Sequence, residues 1–209
     1  MARMSAAALA LAATVTIAAT AAQAAPDDMS LGRADAKVTV VEYASTTCPH
    51  CARWDKDVFP EFRRKYVDTG KVHFVLRELP TRPAELAEAG FLLARCTPQY
   101  FETLDALWSG LERLIASGDG KVWLLDAGKQ AGLDEAKVNA CIEDKAAIEA
   151  FGKRLDFNVK ALPVKGTPTI FVNGEKVGQG EIPLATVELA VDKALAGARA
   201  QPPLTRRRP

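Results

Sequence analysis

The order of β and helical patterns along the chain constrains the fold more than any other feature. Lys37-Val38-Thr39-Val40-Val41-Glu42-Tyr43 is a β-branched run of strand length with little alternation, the pattern of a strand buried on both faces. After a loop at 44–47, Trp54, Val58, Phe62 and Tyr66 recur at four-residue spacing and mark the apolar face of a helix. Pro60 falls inside that helix and should kink it, Gly70 closes it, and residues 72–76 read as a second strand. From 83 to about 157 the period is helical. Leu86, Gly90, Phe91 and Ala94 form one apolar stripe, and Tyr100, Leu104, Leu107, Leu111, Leu114 and Ile115 form another. A glycine break at 118–120 precedes a short helix to 130, and Asp134 can cap the next. A last helical stretch runs from about 146 to 155. The β signal then returns as Thr169-Ile170-Phe171-Val172, the turn pair Asn173-Gly174, and a partner strand at 175–177. A helix at about 184–196, burying Leu184, Val187, Val191 and Leu195, ends the pattern. The expectation is an α/β fold, a small mixed sheet covered by helices, with an inserted helical subdomain at about 83–157.

The two ends of the chain stand outside that pattern. Arg3, an apolar run from about Ala6 to Ala19, and the small residues Ala22, Ala24 and Ala25 make the three parts of a secretory signal, with cleavage expected after Ala24 or Ala25. The run is short and alanine-rich, which favours a cleaved signal over a retained membrane anchor. The expected division is a signal at 1–25, one domain at 26–201, and a flexible basic tail at 202–209 that carries Arg206, Arg207 and Arg208. The signal holds one of the 27 Lys and Arg side chains and no acid, so the remainder balances its 26 acidic residues. A domain with zero net charge has no electrostatic footprint for nucleic acid.

Export changes the reading of the four cysteines, because an oxidising compartment favours disulfides. They divide into a tight pair, Cys48 and Cys51, and a distant pair, Cys96 and Cys141. A domain of this length does not need cross-links merely to fold. The tight pair lies in Cys48-Pro49-His50-Cys51, where Pro49 suits the first helical position. A cysteine there meets unpaired backbone N–H groups and the positive end of the helix dipole, which lower a thiol pKa to roughly 3.5–7.5. His50 could add a donor or positive charge beside the Cys48 sulfur. Cys48 then attacks and is attacked, while Cys51, one turn along, resolves the mixed disulfide. The competing reading is half of a zinc site. Zinc needs four ligands, no second C-x-x-C or H-x-x-x-H is present, and no metal is expected.

Gly166-Thr167-Pro168-Thr169 stands directly before the third β run. Proline entering a strand is awkward, and either a cis Thr167–Pro168 bond or an ordinary trans proline starting the strand satisfies the sequence. His73, mid-strand, reads as structural, and Trp54, Trp108 and Trp123 as core or groove residues.

With these residues in view the chain resembles the DsbA-like branch of the thioredoxin superfamily. The resemblance rests on V-V-E-Y-x4-C-P-H-C, the helical insertion and T-P-T-I-F-V-N-G, and it spans nearly all of 26–201. It implies a thioredoxin-like fold with an inserted helical subdomain, and a periplasmic thiol–disulfide oxidoreductase that needs no cofactor. Cys48 would be the nucleophile, Cys51 the resolving thiol and Pro168 a cis-proline facing them. Glu42 matches a buried acid that could relay protons for Cys51, against the alternative of a solvated strand glutamate. Thr167 would offer backbone groups to an extended substrate segment. Many dedicated oxidases resemble this chain but carry Val there, whereas isomerases often carry Thr. Cys96 and Cys141 resemble a non-catalytic disulfide of some members, the alternative being two free buried thiols. Leu162 and Val164 are candidates for an apolar groove beside Pro168. The implied partners are reduced or unfolded exported proteins and a quinone-linked membrane reoxidase. Isomerases of this type resemble dimers with an added N-terminal dimerisation domain. Only a short segment precedes the first expected strand, so a monomeric oxidase is expected. A reductase or isomerase, and a chaperone-like peptide-binding module, are the alternatives.

Overall fold

The computed structural model describes residues 27–161 and 163–200. The expected signal and basic tail lie outside the described residues. The described residues open with a three-residue strand, β1 (Met29–Leu31), followed by β2 (Val38–Ala44). A first helix, α1 (Pro49–Asp57), ends where Pro60 lacks the N–H and crowds the carbonyl one turn back, so the chain restarts as α2 (Phe59–Phe62). The expected kink is therefore a full break. A π-helical turn (Arg63–Val67) leads into β3 (Val72–Glu78).

Six helices follow: α3 (Ala84–Arg95), α4 (Tyr100–Ser109), α5 (Leu111–Ser117), α6 (Gly120–Gln130), α7 (Glu135–Ile142) and α8 (Lys145–Ala161). The chain returns to the sheet as β4 (Thr169–Val172) and β5 (Glu175–Gln179), and the last described element is α9 (Leu184–Ala200). The β4–β5 turn has Asn173 at φ 49° and Gly174 at φ 84°, the left-handed pair that matches strand twist. The sheet order is β1-β3-β2-β4-β5, with β2 parallel to β3 and antiparallel to β4.

Alternation along β2 decides which residues face the site. Val38, Val40 and Ala44 join the main core with α1, α9 and the helical block, whereas Val41 and Tyr43 meet Val75 and Phe171 on the opposite face. Glu42 shares the parity of Val40 and Ala44 and so lies on the α1 side. Trp54, Phe59, Phe62 and Phe74 form a ring cluster with centroids 4.6–6.4 Å apart under α1. Each such buried ring contributes about 1.5–3 kcal/mol, which anchors α1 on the sheet.

The helical block departs from expectation in two places, at Gly110 and at the end of α8, and agrees with it at Asp134. Gly110 separates α4 from α5, so the stripe restarts: Leu111 and Leu114 turn inward, and Ile115 is left 63% exposed. Asp134 caps α7 by accepting from the Lys137 N–H at 2.9 Å. α8 runs past 155 because Asn158 is buried and donates to the Glu78 carbonyl at 2.9 Å. The Glu78 carboxylate accepts from Arg95, Arg154 and Tyr100, which stitches α3, α4 and α8 to the end of β3. β1 was invisible to periodicity, being three residues long.

Candidate active site

Cys48 ends the loop after β2 and is the residue before the first helical position of α1. Its backbone is extended, at φ −92° and ψ 115°, and its Sγ accepts from the Cys51 N–H at 3.4 Å. Pro49 then opens the helix. The sulfur thus takes the place of an N-capping oxygen. The loop beneath is held by side chains from the helical block and its approach. Trp108 donates from Nε1 to the Ser45 carbonyl at 3.0 Å, Thr46 donates to the Ala87 carbonyl, and Thr81 donates to Ser45 Oγ from both its N–H and its hydroxyl. Gly90 lets α3 come this close, since a Cβ there would lie 2.8 Å from Thr46 Oγ1. Trp108 and Thr81 were not legible as site residues.

Facing Cys48 is Thr167, whose bond to Pro168 is cis; a second cis bond joins Arg82 to Pro83. The Cys48 thiol donates to the Thr167 carbonyl at 3.2 Å. Thr167 Oγ1 is buried with no other partner and is placed to donate to the thiolate once the proton leaves. The Cys48 pKa is drawn down to about 6. Its largest cause is the hydrogen bond from the Cys51 thiol, joined by Thr167 and the N–H groups of Cys51 and His50, all acting against burial. Cys51 is fully buried, and burial first, then the neighbouring Cys48 and Glu42, push its thiol up. The two sulfurs are therefore chemically unequal: Cys48 ionises near neutrality and Cys51 keeps its proton.

His50 contributes differently from expectation. Its Nδ1 is 2.8 Å from Arg53 Nη2 and 3.4 Å from Glu181 Oε1, and among the described contacts its ring forms no hydrogen bond with Cys48. The Arg53–Glu181 ion pair draws the imidazole toward the lip before α9, leaving the backbone N–H of His50 as its contribution at the sulfur. Val164 packs against Val41, Tyr43, Val75 and Phe171 on the opposite face of the sheet, not in a groove beside Pro168, and Leu162 lies outside the described residues.

Glu42 is 2% exposed, with Oε1 lacking any hydrogen bond. Burial, then the charges of Asp55 and Cys48, raise its carboxyl well above the usual range. Burial first, then the charge of Asp105 on α4, push the Asp55 carboxyl of α1 up to about 8. Neither aspartate stood out in the sequence, although Asp55 lies four residues past Cys51 and so on the same helical face. Two grooves flank α1. One, of about 280 Å³, is lined by His50, Trp54, Val58, Ile182 and Pro183, among others. The other, of about 400 Å³, is lined by Ala52, Asp55, Trp108, Leu111 and Ile115, among others.

Cys96 and Cys141 are joined in a disulfide with Cα atoms 5.8 Å apart, linking the end of α3 to α7, while Cys48 and Cys51 are free thiols. Among the described residues no group of three or more His, Cys, Asp or Glu is placed to hold a metal ion.

Comparison with known proteins agrees with this geometry. The thioredoxin family profile matches residues 24–193. A putative protein-disulfide oxidoreductase of Rickettsia conorii is 34% identical over 172 residues, covering 81% of this chain and 61% of that protein. The chain therefore spans less than two thirds of that relative's length. A probable disulfide bond formation protein D of Bacillus anthracis is 28% identical over 178 residues, covering 79% of this chain and 77% of that protein. Among solved structures, Wolbachia pipientis alpha-DsbA1 superposes with a TM-score of 0.75 at 25% identity, covering 84% of this chain and 94% of that one. BdbD from Bacillus subtilis shares the fold at a TM-score of 0.63 and 23% identity, covering 81% and 94% of the two chains. The chain belongs to the thioredoxin family, within its DsbA-like branch.

Proposed function

We propose that this protein is a thiol–disulfide oxidoreductase that introduces disulfides into reduced, exported proteins through Cys48 and Cys51. The observation that carries the reading is the inequality of the two sulfurs. A substrate thiolate attacks Cys48 Sγ of the oxidised pair, and the electron pair of the broken bond goes to Cys51 Sγ. A second substrate thiolate attacks the substrate sulfur of the mixed disulfide and releases Cys48 as a thiolate that the site already stabilises. Relative to a thiol ionising at 9.0, a value of about 6 stabilises the reduced form by about 1.4 kcal/mol at pH 7. That stabilisation raises the potential of the pair by about 30 mV. Thr167 and cis-Pro168 receive the substrate backbone by strand addition. Cys51, buried, resolves, and Glu42 exchanges its proton.

The working location is the periplasm, reached through the signal at 1–25, and a membrane partner restores the disulfide. Catalysis uses no cofactor, and the protein works as a monomer. A second reading, a reductase or isomerase, is favoured by Thr167, whose unpartnered hydroxyl makes the environment of Cys48 more polar than a Val would. The equilibrium of the Cys48–Cys51 pair with glutathione decides between them. A poise well above the glutathione couple supports the oxidase, and one near thioredoxin's roughly −270 mV overturns it. Cys48→Ser should abolish oxidation of a reduced model protein. Activity unchanged by that substitution would instead favour a chaperone-like binding module.

A further inference from the structure

The Cys48-Pro49-His50-Cys51 run puts an imidazole two residues from the reactive sulfur, yet the ring is bonded elsewhere. Arg53, three residues along α1, donates from Nη2 to His50 Nδ1 at 2.8 Å. A guanidinium has no acceptor, so Nδ1 carries no proton in this contact and the ring proton sits on Nε2. The same Nη2 donates to Glu181 Oε1 at 2.9 Å, and that oxygen lies 3.4 Å from Nδ1. Three side chains thus meet at one point on the lip of the 280 Å³ groove. The groups that lower the Cys48 pKa include the His50 backbone N–H but not its imidazole.

Glu181 is the fixed end of this arrangement. Gly180 before it has φ 79°, a left-handed conformation that turns the chain out of β5, and its N–H donates to the Pro168 carbonyl at 2.8 Å. Ile182 after it is buried and packs on Gly178, where an added Cβ would lie 3.0 Å from the Ile182 side chain. The carboxylate is therefore carried by a segment tied to the same cis-proline that faces Cys48. Asp57 is the other charged residue lining this groove, so no second cation there can replace Arg53. An exposed ion pair contributes little to stability. Choosing between two orientations of one imidazole requires little.

We propose that Arg53 and Glu181 are positioning residues that clamp the His50 imidazole away from Cys48 Sγ and so restrain the oxidising strength of the Cys48–Cys51 pair. The inference rests on the reading of Cys48 as the exchanging sulfur. A ring released from Arg53 can turn toward the thiolate and donate to it. That contact favours the reduced form alone, since the sulfur of the disulfide carries no charge. Stabilising the reduced form makes the disulfide a stronger oxidant. The clamp withholds this contact and leaves the thiolate to the backbone N–H groups, the Cys51 thiol and Thr167.

The test is the glutathione equilibrium of the full chain at about pH 7, together with an ultraviolet titration of the Cys48 thiolate. Arg53→Met keeps an unbranched stem and removes the donor, and Glu181→Gln keeps the shape and removes the charge. Each should shift the equilibrium at least about threefold toward the reduced protein and lower the thiolate midpoint by about 0.5. Arg53→Met is the sharper variant, because losing a cation beside a thiolate would by charge alone move both readings the other way. In a His50→Ala background both substitutions should move the equilibrium by less than about 1.5-fold, since no ring is left to release. Glu188→Gln, which breaks the ion pair with Lys65 elsewhere on α9, should match wild type. An Arg53→Met equilibrium that is unchanged or shifted toward the oxidised protein overturns the clamp and leaves the redox reading intact. So does an equal shift in the His50→Ala background, which marks a charge effect that bypasses the ring. A wild-type chain that does not exchange with glutathione overturns the redox reading and the clamp with it.

Discussion

The two cysteine pairs of this chain are the same chemistry in opposite settings. Cys48 and Cys51 lie three residues apart at a helix start, where a sulfur replaces a capping oxygen and the backbone N–H groups of His50 and Cys51 favour its charge. Cys96 and Cys141 are separated by 45 residues and lie at the end of α3 and within α7. The first pair has surroundings that stabilise its reduced form; the second is closed in a disulfide that ties two helices together. Reactivity follows from where the backbone leaves donors unpaired, not from the presence of two neighbouring thiols.

That contrast can be broken in order of expected effect. Cys48→Ser should remove thiol exchange altogether, measured as oxidation of a reduced protein, whereas Cys96→Ala with Cys141→Ala should leave the exchange rate within about twofold. The same double variant should lose about 4 kcal/mol of stability by the chain-entropy account of a 45-residue loop, read as a shift in the urea midpoint of the Cys48–Cys51-reduced protein. A loss below about 1 kcal/mol would deny that pair its structural role.

The reduced form should gain stability over the oxidised form as pH rises. The Cys48 pKa is depressed in the fold, so the contribution is complete above the unfolded value near 9 and is lost as pH falls through about 6. At pH 7 it amounts to about 1.4 kcal/mol, visible as a growing gap between the two melting temperatures. The smallest effect is expected at the support of the site. Trp108→Phe keeps an aromatic side chain but removes the indole N–H bonded to the Ser45 carbonyl; loss of that hydrogen bond alone should cost about 0.5–1.5 kcal/mol in denaturant titration while moving the glutathione equilibrium only slightly.

What could be read in advance was what local rules govern. The β-branched run at β2, Pro49 after Cys48, the Asn173-Gly174 turn and the cap at Asp134 each depend on neighbours within a few residues, and each took the expected form. What could not be read depended on packing between distant segments. Trp108 reaches Ser45 across 63 residues, and Glu181 engages Arg53 across 128, which draws the His50 ring to the groove lip. Ile115 fell outside the core because Gly110 reset the helical phase, a break that periodicity read through. Asp55 did not stand out in the sequence although its spacing to Cys51 puts it on the same helical face, and its neighbour Asp105 follows only from how α4 packs on α1. Glu42 lies between these cases: strand alternation fixes its face, and the helix laid over it makes it buried.

The most direct test of the account is a pH titration of the Cys48 thiolate in the reduced protein, followed by ultraviolet absorbance with Cys48→Ser as the blank. The geometry predicts a midpoint near 6, with Cys51 silent until far more alkaline pH. A Cys48 midpoint near the ordinary thiol value of 9.0 would contradict it and remove the physical basis for an oxidising pair.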